Sequence, residues 1–358
     1  MPFHFVTLNV NSDRRLYKGT PLEPAFSDFS FRARFGLLKE LLDSLSEHEQ
    51  STFALQEADD EARELLKEYF EQKGYKVLTT KYANDPGAFN FLFAYNPELY
   101  EVVESSQIYY TESGQTTSPE ERKTLTKEEK LKRHLGTEFE KSAQLVRLKD
   151  KKTGRICLAA NTHPGLEMPH RLSAMKKLCD ALANEQEMIV ALGDFNQFDP
   201  RVPEPTIYQE QIDILKEHGF KWSSEGLSHA GMKTTFMGFP FDVMRFFNEA
   251  DRTEYQALTQ DKDHLERLRE FFVRKIKEKK ISLYGGCLDG VFTKNLPVSA
   301  SVSVNCFTMF GHKRVETTTY PDAKGFQEAY MHHVETHIPQ ENEAVTSSDH
   351  FAVTATIG

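Results

Sequence analysis

The 358-residue sequence contains few residues that could cross-link a fold, and no long apolar segment that could hold it in a membrane. Its four cysteines, Cys157, Cys179, Cys287 and Cys306, are widely spaced and form no Cys-x-x-Cys pair. Neither a disulfide framework nor a structural zinc site is therefore indicated. No apolar run approaches the ~20 residues that a membrane-spanning helix needs, so we expect no transmembrane segment.

A targeting segment and a surplus of basic residues are also missing. The first ten residues, MPFHFVTLNV, contain neither a basic stretch nor a long apolar one, so no secretory signal is visible. We expect a soluble protein, cytoplasmic by default, with export by another route left open. Lys and Arg number 44 against 54 Asp and Glu, a net charge of −10. This balance disfavours tight non-specific binding to nucleic acid, which depends on many phosphate contacts, although a local basic cleft remains compatible with it.

The residues that are present describe an ordinary globular chain. It is 39% hydrophobic and 27% charged, a composition that can bury a core. Predicted strands outnumber helices, and several adjoin as hairpins, which favours an α+β fold with largely antiparallel sheets. The strands are predicted near 3–10, 52–57, 89–97, 142–150, 155–163, 187–196 and at three places after residue 287, and the helices near 31–45, 59–74 and 170–184.

Two polar stretches interrupt this pattern, near residues 111–141 and 244–280. The first contains the capping-box signatures Ser118…Glu121 and Thr126…Glu129, which predict short helices. In the second, apolar residues at helical spacing from Leu258 to Ile276 predict a long amphipathic helix. We interpret both stretches as solvated surface insertions, the alternative being a lid or a substrate-facing wall.

Polar residues adjoin apolar strands at six places, where each strand would present them at the edge of a rigid sheet. Singly these are common turn or surface residues, but their joint occurrence is informative. The six motifs are Thr7-Leu8-Asn9, Leu55-Gln56-Glu57, Asn161-Thr162-His163, Gly193-Asp194-Phe195-Asn196, Leu288-Asp289-Gly290 and Ser348-Asp349-His350.

These residue types suit phosphoester hydrolysis. Mg²⁺ neutralises phosphoryl oxygens, prefers oxygen ligands and keeps several waters, so one or two carboxylates and an amide oxygen suffice to hold it. Glu57 and Asn9 supply such a site, with Asp349 as a further candidate ligand, direct or through water, and Mn²⁺ as a candidate substitute for Mg²⁺. Asp194 and Asn196 lie two residues apart and can orient the nucleophilic water and bind a phosphoryl oxygen.

The six motifs, in this order, resemble those of the endonuclease/exonuclease/phosphatase superfamily, which has the deoxyribonuclease-I-like fold. The resemblance covers essentially the whole chain. It implies a four-layer α/β/β/α sandwich over residues 1–358, in one catalytic domain instead of the two that ~150 residues per domain suggests. It further implies that Asp289 fixes the tautomer of His350 and stabilises the charged form of its imidazole, and that His163 donates to the phosphoryl group or assists the leaving oxygen. Whether His350 or Asp194 deprotonates water stays open.

The branch of the superfamily, and with it the substrate, stays open as well. Members include deoxyribonucleases, deadenylases, inositol polyphosphate 5-phosphatases and neutral sphingomyelinases. The acidic charge slightly favours a magnesium-dependent phosphoesterase acting on a small or lipid-borne phosphate, and a nuclease or deadenylase is the alternative. A catalytically silent binding module is the third hypothesis, but no metal acid or histidine is lost at the motifs. Arg171 is interpreted as exposed surface charge.

Overall fold

The computed structural model describes residues 2–11, 31–46, 51–83, 88–112, 117–133, 141–165, 168–196, 209–225, 236–237, 247–258, 289–310, 313–316, 350 and 352–358, with single residues and short runs at 267–286 and 325–332. Its strands are β1 Phe3–Asn9, β2 Ser51–Ala58, β3 Lys76–Lys81, β4 Asn90–Tyr95, β5 Tyr100–Tyr109, β6 Ser142–Asp150, β7 Ile156–Thr162, β8 Met188–Asp194, β9 Lys221–Trp222, β10 Phe236–Met237, β11 Tyr284–Gly286, β12 Asp289–Lys294, β13 Val302–Phe310, β14 Lys313–Glu316 and β15 Ala352–Ile357. Its helices are α1 Phe31–Leu45, α2 Asp60–Gln72, α3 Pro119–Thr124, α4 Lys127–Lys132, α5 Met168–Ala181, α6 Gln209–Glu217 and α7 Glu249–Leu258.

The strands form two large sheets. The first has the order β14-β13-β15-β1-β2-β4-β3 and the second the order β5-β6-β7-β8-β12-β9, while β10 and β11 form a separate ribbon. Among the described pairings, β1 with β2 and β7 with β8 are parallel, and the others are antiparallel. The prediction of largely antiparallel sheets is confirmed.

Three apolar clusters separate four layers. The central cluster joins the facing surfaces of the two sheets, with Phe5 and Phe93 from the first and Val190 and Leu192 from the second. A second cluster lies between the first sheet and helices α1 and α2. A third lies between the second sheet and helices α5 and α6. The fold is therefore the α/β/β/α sandwich that the resemblance implied.

Alternation along the strands places polar side chains at one edge of the central layer. Successive side chains of a strand point to opposite faces, so every second residue of β1 faces the other sheet. The apolar Phe3 and Phe5 are followed on that face by Thr7 and Asn9. In β8 the same face changes from Val190 and Leu192 to Asp194. On the inward face of each of these two strands, the first side chains therefore belong to the apolar core and the last ones to the polar edge.

A buried polar network joins the sheets next to that edge. The amide of Gln56 in β2 donates to Thr7 Oγ1 at 2.9 Å and, across the sandwich, to Asn161 Oδ1 at 2.7 Å. Asn161 Nδ2 in turn lies 3.4 Å from Gln144 Oε1 in β6. Because buried polar groups are costly unless they are hydrogen-bonded, this network fixes how the two sheets meet.

The first insertion contains the short helices that the sequence predicts. The hydroxyl of Ser118 accepts from the backbone N–H of Glu121 at 3.1 Å and caps α3. Thr126 and Glu129 form a reciprocal capping box at the start of α4, with bonds of 3.2 Å and 2.8 Å. Most described side chains of these helices are exposed, as expected for a solvated insertion.

The second insertion is more deeply packed than its polar composition predicts. Phe247, Tyr255 and Phe271 are buried and belong to the central apolar cluster, so the interpretation as a purely solvated segment is wrong for these residues. Lys275 is also buried, and its ammonium lies 2.9 Å from Asp251 Oδ1. Helical spacing identifies an apolar face but not what covers it. Helix α7 ends at Leu258, and the described residues at 267–278 are helical.

None of the described helices is long and apolar enough to cross a membrane.

The packing of Phe271 can be tested by truncation. We expect Phe271→Ala to lower the free energy of unfolding by about 3–5 kcal/mol, because it removes a fully buried ring from the core. Val298→Ala is the control, since Val298 is fully exposed and its truncation should change stability by less than about 0.5 kcal/mol. Urea denaturation measures both, and equal stabilities of the two variants would contradict the assignment.

Candidate active site

Seven of the predicted residues meet at the polar edge of the sandwich, and five of them lie at or beside strand ends as follows. Asn9 ends β1, Glu57 lies near the end of β2 and Asp194 ends β8, whereas Asp289 begins β12 and His350 precedes β15. Because β12 is antiparallel to β8, Asp289 pairs directly with Asp194 in the ladder. The antiparallel pairing of β15 with β1 likewise places its start beside the end of β1.

The carboxylate of Asp194 is the point on which the other side chains converge. Its Oδ2 accepts from Asn9 Nδ2 at 3.0 Å and lies 3.4 Å from His163 Nε2 and 3.8 Å from His350 Nε2. Its Oδ1 accepts from the backbone N–H of Asn196 at 2.9 Å. Burial raises the pKa of Asp194, but the two histidines and these hydrogen bonds outweigh it, and the pKa lies below its ordinary value. Asp194 is therefore ionised at neutral pH.

Asp289 and His350 are in contact, as predicted for residues 61 positions apart. His350 Nδ1 lies 2.9 Å from Asp289 Oδ2, and both side chains are buried. An ionised carboxylate can only accept, so Nδ1 carries the proton in this pair. The other ring nitrogen then faces Asp194, and the imidazole lies between two carboxylates that would otherwise repel each other.

His163 is held by a tyrosine. Tyr82 Oη accepts from the backbone N–H of Glu57 at 2.6 Å and lies 3.0 Å from His163 Nδ1. Burial and the nearby charge of Glu57 raise the pKa of Tyr82 well above its ordinary value, so the phenol stays protonated. Because its oxygen already accepts from Glu57, we assign its O–H as the hydrogen-bond donor to Nδ1. The proton of His163 is then on Nε2, which lies 3.5 Å from Glu57 Oε1.

The charge state of His163 agrees with that tautomer. Burial and the positive charge of Lys141 lower the pKa of His163 well below its ordinary value, against the opposing effect of Asp194. The imidazole is therefore neutral at pH 7 and presents one N–H to the space in front of Asp194. It is a hydrogen-bond donor and not a source of positive charge.

Backbone conformations around the site are unusual. Of the four described non-glycine residues with positive φ, three adjoin it: Asn11 at 41°, Glu57 at 57° and Asn196 at 49°. Asparagine tolerates this region, but glutamate does so at a cost, and such strain is typical of functional positions. Gly193 has a φ of +146°, and a Cβ there would overlap the carbonyl oxygen of Thr162. Only glycine permits this close approach of β7 and β8.

Solved structures share this arrangement of layers over the whole chain. An endonuclease/exonuclease/phosphatase from Bacteroides vulgatus matches with a TM-score of 0.55 and 14% identity, over 100% of this chain and 99% of that one. The mannosyl-6-phosphatase of Bacteroides thetaiotaomicron matches with a TM-score of 0.54 and 13% identity, over 99% of both chains. The catalytic domain of human Nocturnin with bound sulfate matches with a TM-score of 0.53 and 13% identity, over 100% and 93%.

This chain has the endonuclease/exonuclease/phosphatase fold. No family profile matches the sequence, and no curated protein matches it. At these identities the shared property is the fold, and the chemistry depends on this chain's own side chains.

Within the endonuclease/exonuclease/phosphatase fold, Asn196 is fixed by its surroundings. Its side-chain amide donates to the backbone carbonyl of Pro164 at 2.8 Å, and its backbone carbonyl accepts from a guanidinium N–H of Arg171. Arg171 is only 1% exposed, so its interpretation as surface charge is wrong. Arg171 lies in the first turn of α5, and its long side chain reaches the backbone of Asn196 at the edge of the site. Helical periodicity in the sequence does not reveal such a contact.

Tyr82 and Lys141 are the other contacts that sequence reasoning missed. Tyr82 directly follows β3 and Lys141 directly precedes β6, and both lie in polar segments where a single such residue gives no signal. Lys141 is 9% exposed, and its ammonium lies 3.4 Å from His163 Nδ1 and 5.0 Å from the centre of the Tyr82 ring.

The oxygen atoms near Asn9 and Glu57 suit a hard cation. Asn9 Oδ1 accepts a hydrogen bond from the N–H of Asn11 at 2.9 Å, and an amide oxygen has two lone pairs. The Glu57 side chain is 20% exposed, and the described cysteines are buried in apolar clusters. One carboxylate and one amide oxygen match Mg²⁺, which keeps several waters. Asp349 lies outside the described residues, and within those residues no group of three His, Cys, Asp or Glu forms a metal cluster.

The Asp289–His350 contact predicts strongly non-additive mutant kinetics. We expect Asp289→Asn and His350→Ala each to lower kcat about 10²–10⁴-fold, the usual range for a positioned acid–base group. The double variant should be scarcely slower than the slower single variant, because groups that act as one unit are not additive. Turnover of all four proteins, with melting curves beside it, measures this. Multiplicative losses, or a near-wild-type rate for His350→Ala, would contradict the account.

Proposed function

We propose that the protein is a metal-dependent phosphoesterase that hydrolyses a phosphomonoester or phosphodiester. The observation that carries the proposal is the convergence on Asp194 of a neutral histidine N–H and a second histidine paired with Asp289. A structural core has no need to bury four ionisable side chains in one contact network at a sheet edge. Phosphoryl transfer needs such groups, because the attacking water, the phosphoryl oxygens and the leaving oxygen each require a partner.

Each side chain has a role in this proposal. The ionised Asp194 and the amide of Asn196 orient the attacking water. The Nε2–H of His163 donates to a phosphoryl oxygen or to the leaving oxygen. His350 holds a proton at Nε2 when it is charged, and Asp289 stabilises that charge. Mg²⁺ or Mn²⁺, held by Glu57 and Asn9 and by Asp349 as a further proposed ligand, would neutralise charge on the phosphoryl oxygens.

A small or lipid-borne phosphate is the favoured substrate class. The net charge of −10 disfavours a long nucleic-acid backbone, whose binding depends on many basic contacts. The similar mannosyl-6-phosphatase is consistent with a small phosphorylated substrate. A nuclease of the same fold is the alternative, and a silent binding module is disfavoured because the set of site residues is intact.

A turnover panel with Mg²⁺ tests the proposal. It comprises a chromogenic monoester and diester, sugar phosphates, phosphoinositide and sphingomyelin vesicles, single-stranded and duplex DNA, and RNA. Release of phosphate or alcohol from a non-nucleic substrate supports the proposal, and cleavage of DNA or RNA alone selects the nuclease. Absence of turnover across the panel, with a folded protein and saturating metal, contradicts both.

Metal dependence is a separate prediction. We expect EDTA to abolish turnover and Mg²⁺ or Mn²⁺ to restore it, because the available ligands are oxygens. Glu57→Gln should raise the metal concentration needed for half-maximal activity at least about tenfold, comparable to the loss of a metal-site group, without lowering the melting temperature in EDTA. Glu98→Gln, in the exposed turn before β5, is the control. Full activity after exhaustive chelation would contradict the proposed metal dependence.

A further inference from the structure

Lys141 is a buried cation placed beside the catalytic edge of His163. Its Nζ lies 3.4 Å from Nδ1 and 3.5 Å from Nε2 of that ring. Nearly equal distances to the two nitrogens mean that the ammonium is not aligned with the lone pair of either one. The Tyr82 ring lies on the same ammonium, at 5.0 Å from its centre.

The head group of Lys141 is held at the edge of the sandwich where the site residues converge. A lysine normally extends its charged end into water, whereas this one is 9% exposed and lies against His163 and Tyr82. Its position therefore places a cation inside the site.

We propose that Lys141 binds the phosphoryl group of the substrate and that the substrate is a phosphomonoester dianion. This rests on the proposed function and narrows its substrate class. An oxygen that accepts the Nε2–H of His163 lies about 3 Å from Nε2. Because Nζ is itself 3.5 Å from that nitrogen, such an oxygen comes within short electrostatic range of the ammonium.

The charge balance of the site selects between the two ester classes. Glu57, Asp194 and Asp289 contribute carboxylates there, and His163 contributes an N–H without charge. A terminal phosphate carries about −1.5 to −2 charges at pH 7, whereas a diester carries one. Mg²⁺ and a charged His350 would balance these three carboxylates, so the second negative charge of a monoester calls for a further cation, and Lys141 supplies one. A diester, with its single negative charge, is stabilised less by the ammonium of Lys141.

The overall reaction is then a phosphomonoester plus water giving an alcohol and inorganic phosphate. The water oxygen forms a bond to phosphorus, the ester P–O bond breaks, and the leaving oxygen receives a proton. Lys141 takes part in no proton transfer in this scheme. It holds the anionic substrate and the product phosphate.

Kinetics on paired substrates test the proposal. We expect Lys141→Met to lower kcat/KM for 4-nitrophenyl phosphate about 100-fold, the loss typical of one charge-stabilising group, but to lower kcat/KM for bis(4-nitrophenyl) phosphate only a few-fold. Lys141→Arg should keep the monoester-to-diester ratio of the wild type. Lys149→Met is the matched control, since Lys149 is on β6 with a side chain 44% exposed near Glu101, and it should leave both rates unchanged.

Calorimetric binding of inorganic phosphate at pH 8 gives a readout that needs no turnover. Lys141→Met should weaken phosphate binding at least about tenfold, and Lys149→Met should not change it. Lys141→Gln is the second neutral variant, used if the methionine variant melts early. Equal losses on monoester and diester, wild-type preference for the diester, or unchanged phosphate affinity would overturn the role of Lys141 while leaving hydrolysis established. No turnover by the wild type, with phosphate binding that depends on Lys141, would overturn the proposed function alone.

Discussion

The hydrogen bond from Asn9 to Asp194 is the contact on which the site depends, because it joins the two sheets at their polar edge. Asn9 belongs to the first sheet and Asp194 to the second. His350 reaches the same carboxylate from the first sheet and His163 from the second. A shift of one sheet against the other would therefore separate the donors from their acceptor. The apolar cluster between the sheets and the Gln56–Asn161 bond oppose that shift.

The protonation of the two histidines follows from their different partners. His350 faces the buried carboxylate of Asp289, which can stabilise an imidazolium. His163 lies beside the phenol of Tyr82 and the ammonium of Lys141, and its burial and that ammonium outweigh the nearby carboxylate of Asp194 and keep its pKa low. The same residue type is thus prepared for two tasks, a charged or proton-accepting group on one side and a neutral donor on the other.

The sequence predicts the parts of the fold that depend on local pattern. Short apolar runs locate β1, β2 and β8, and the capping boxes locate α3 and α4. Resemblance across six ordered motifs adds the sandwich and the contact of Asp289 with His350. The sequence does not predict the roles of Tyr82, Lys141 and Arg171, because each role depends on a tertiary contact that no local pattern encodes. The sequence does not predict the burial of Phe271 for a related reason: the residues that cover it belong to elements distant in the chain.

The most direct test of the account is the turnover of Asp194→Asn under saturating Mg²⁺. The amide keeps the shape of the carboxylate but loses its charge, so we expect kcat to fall at least about 10²–10⁴-fold, the range for a positioned group in proton transfer, while the protein stays folded. Asp150→Asn is the control: Asp150 is also buried, but it caps the turn after β6 through the N–H groups of Lys152 and Thr153, so its loss should lower stability and spare kcat. Wild-type turnover by a folded Asp194→Asn protein would contradict the account.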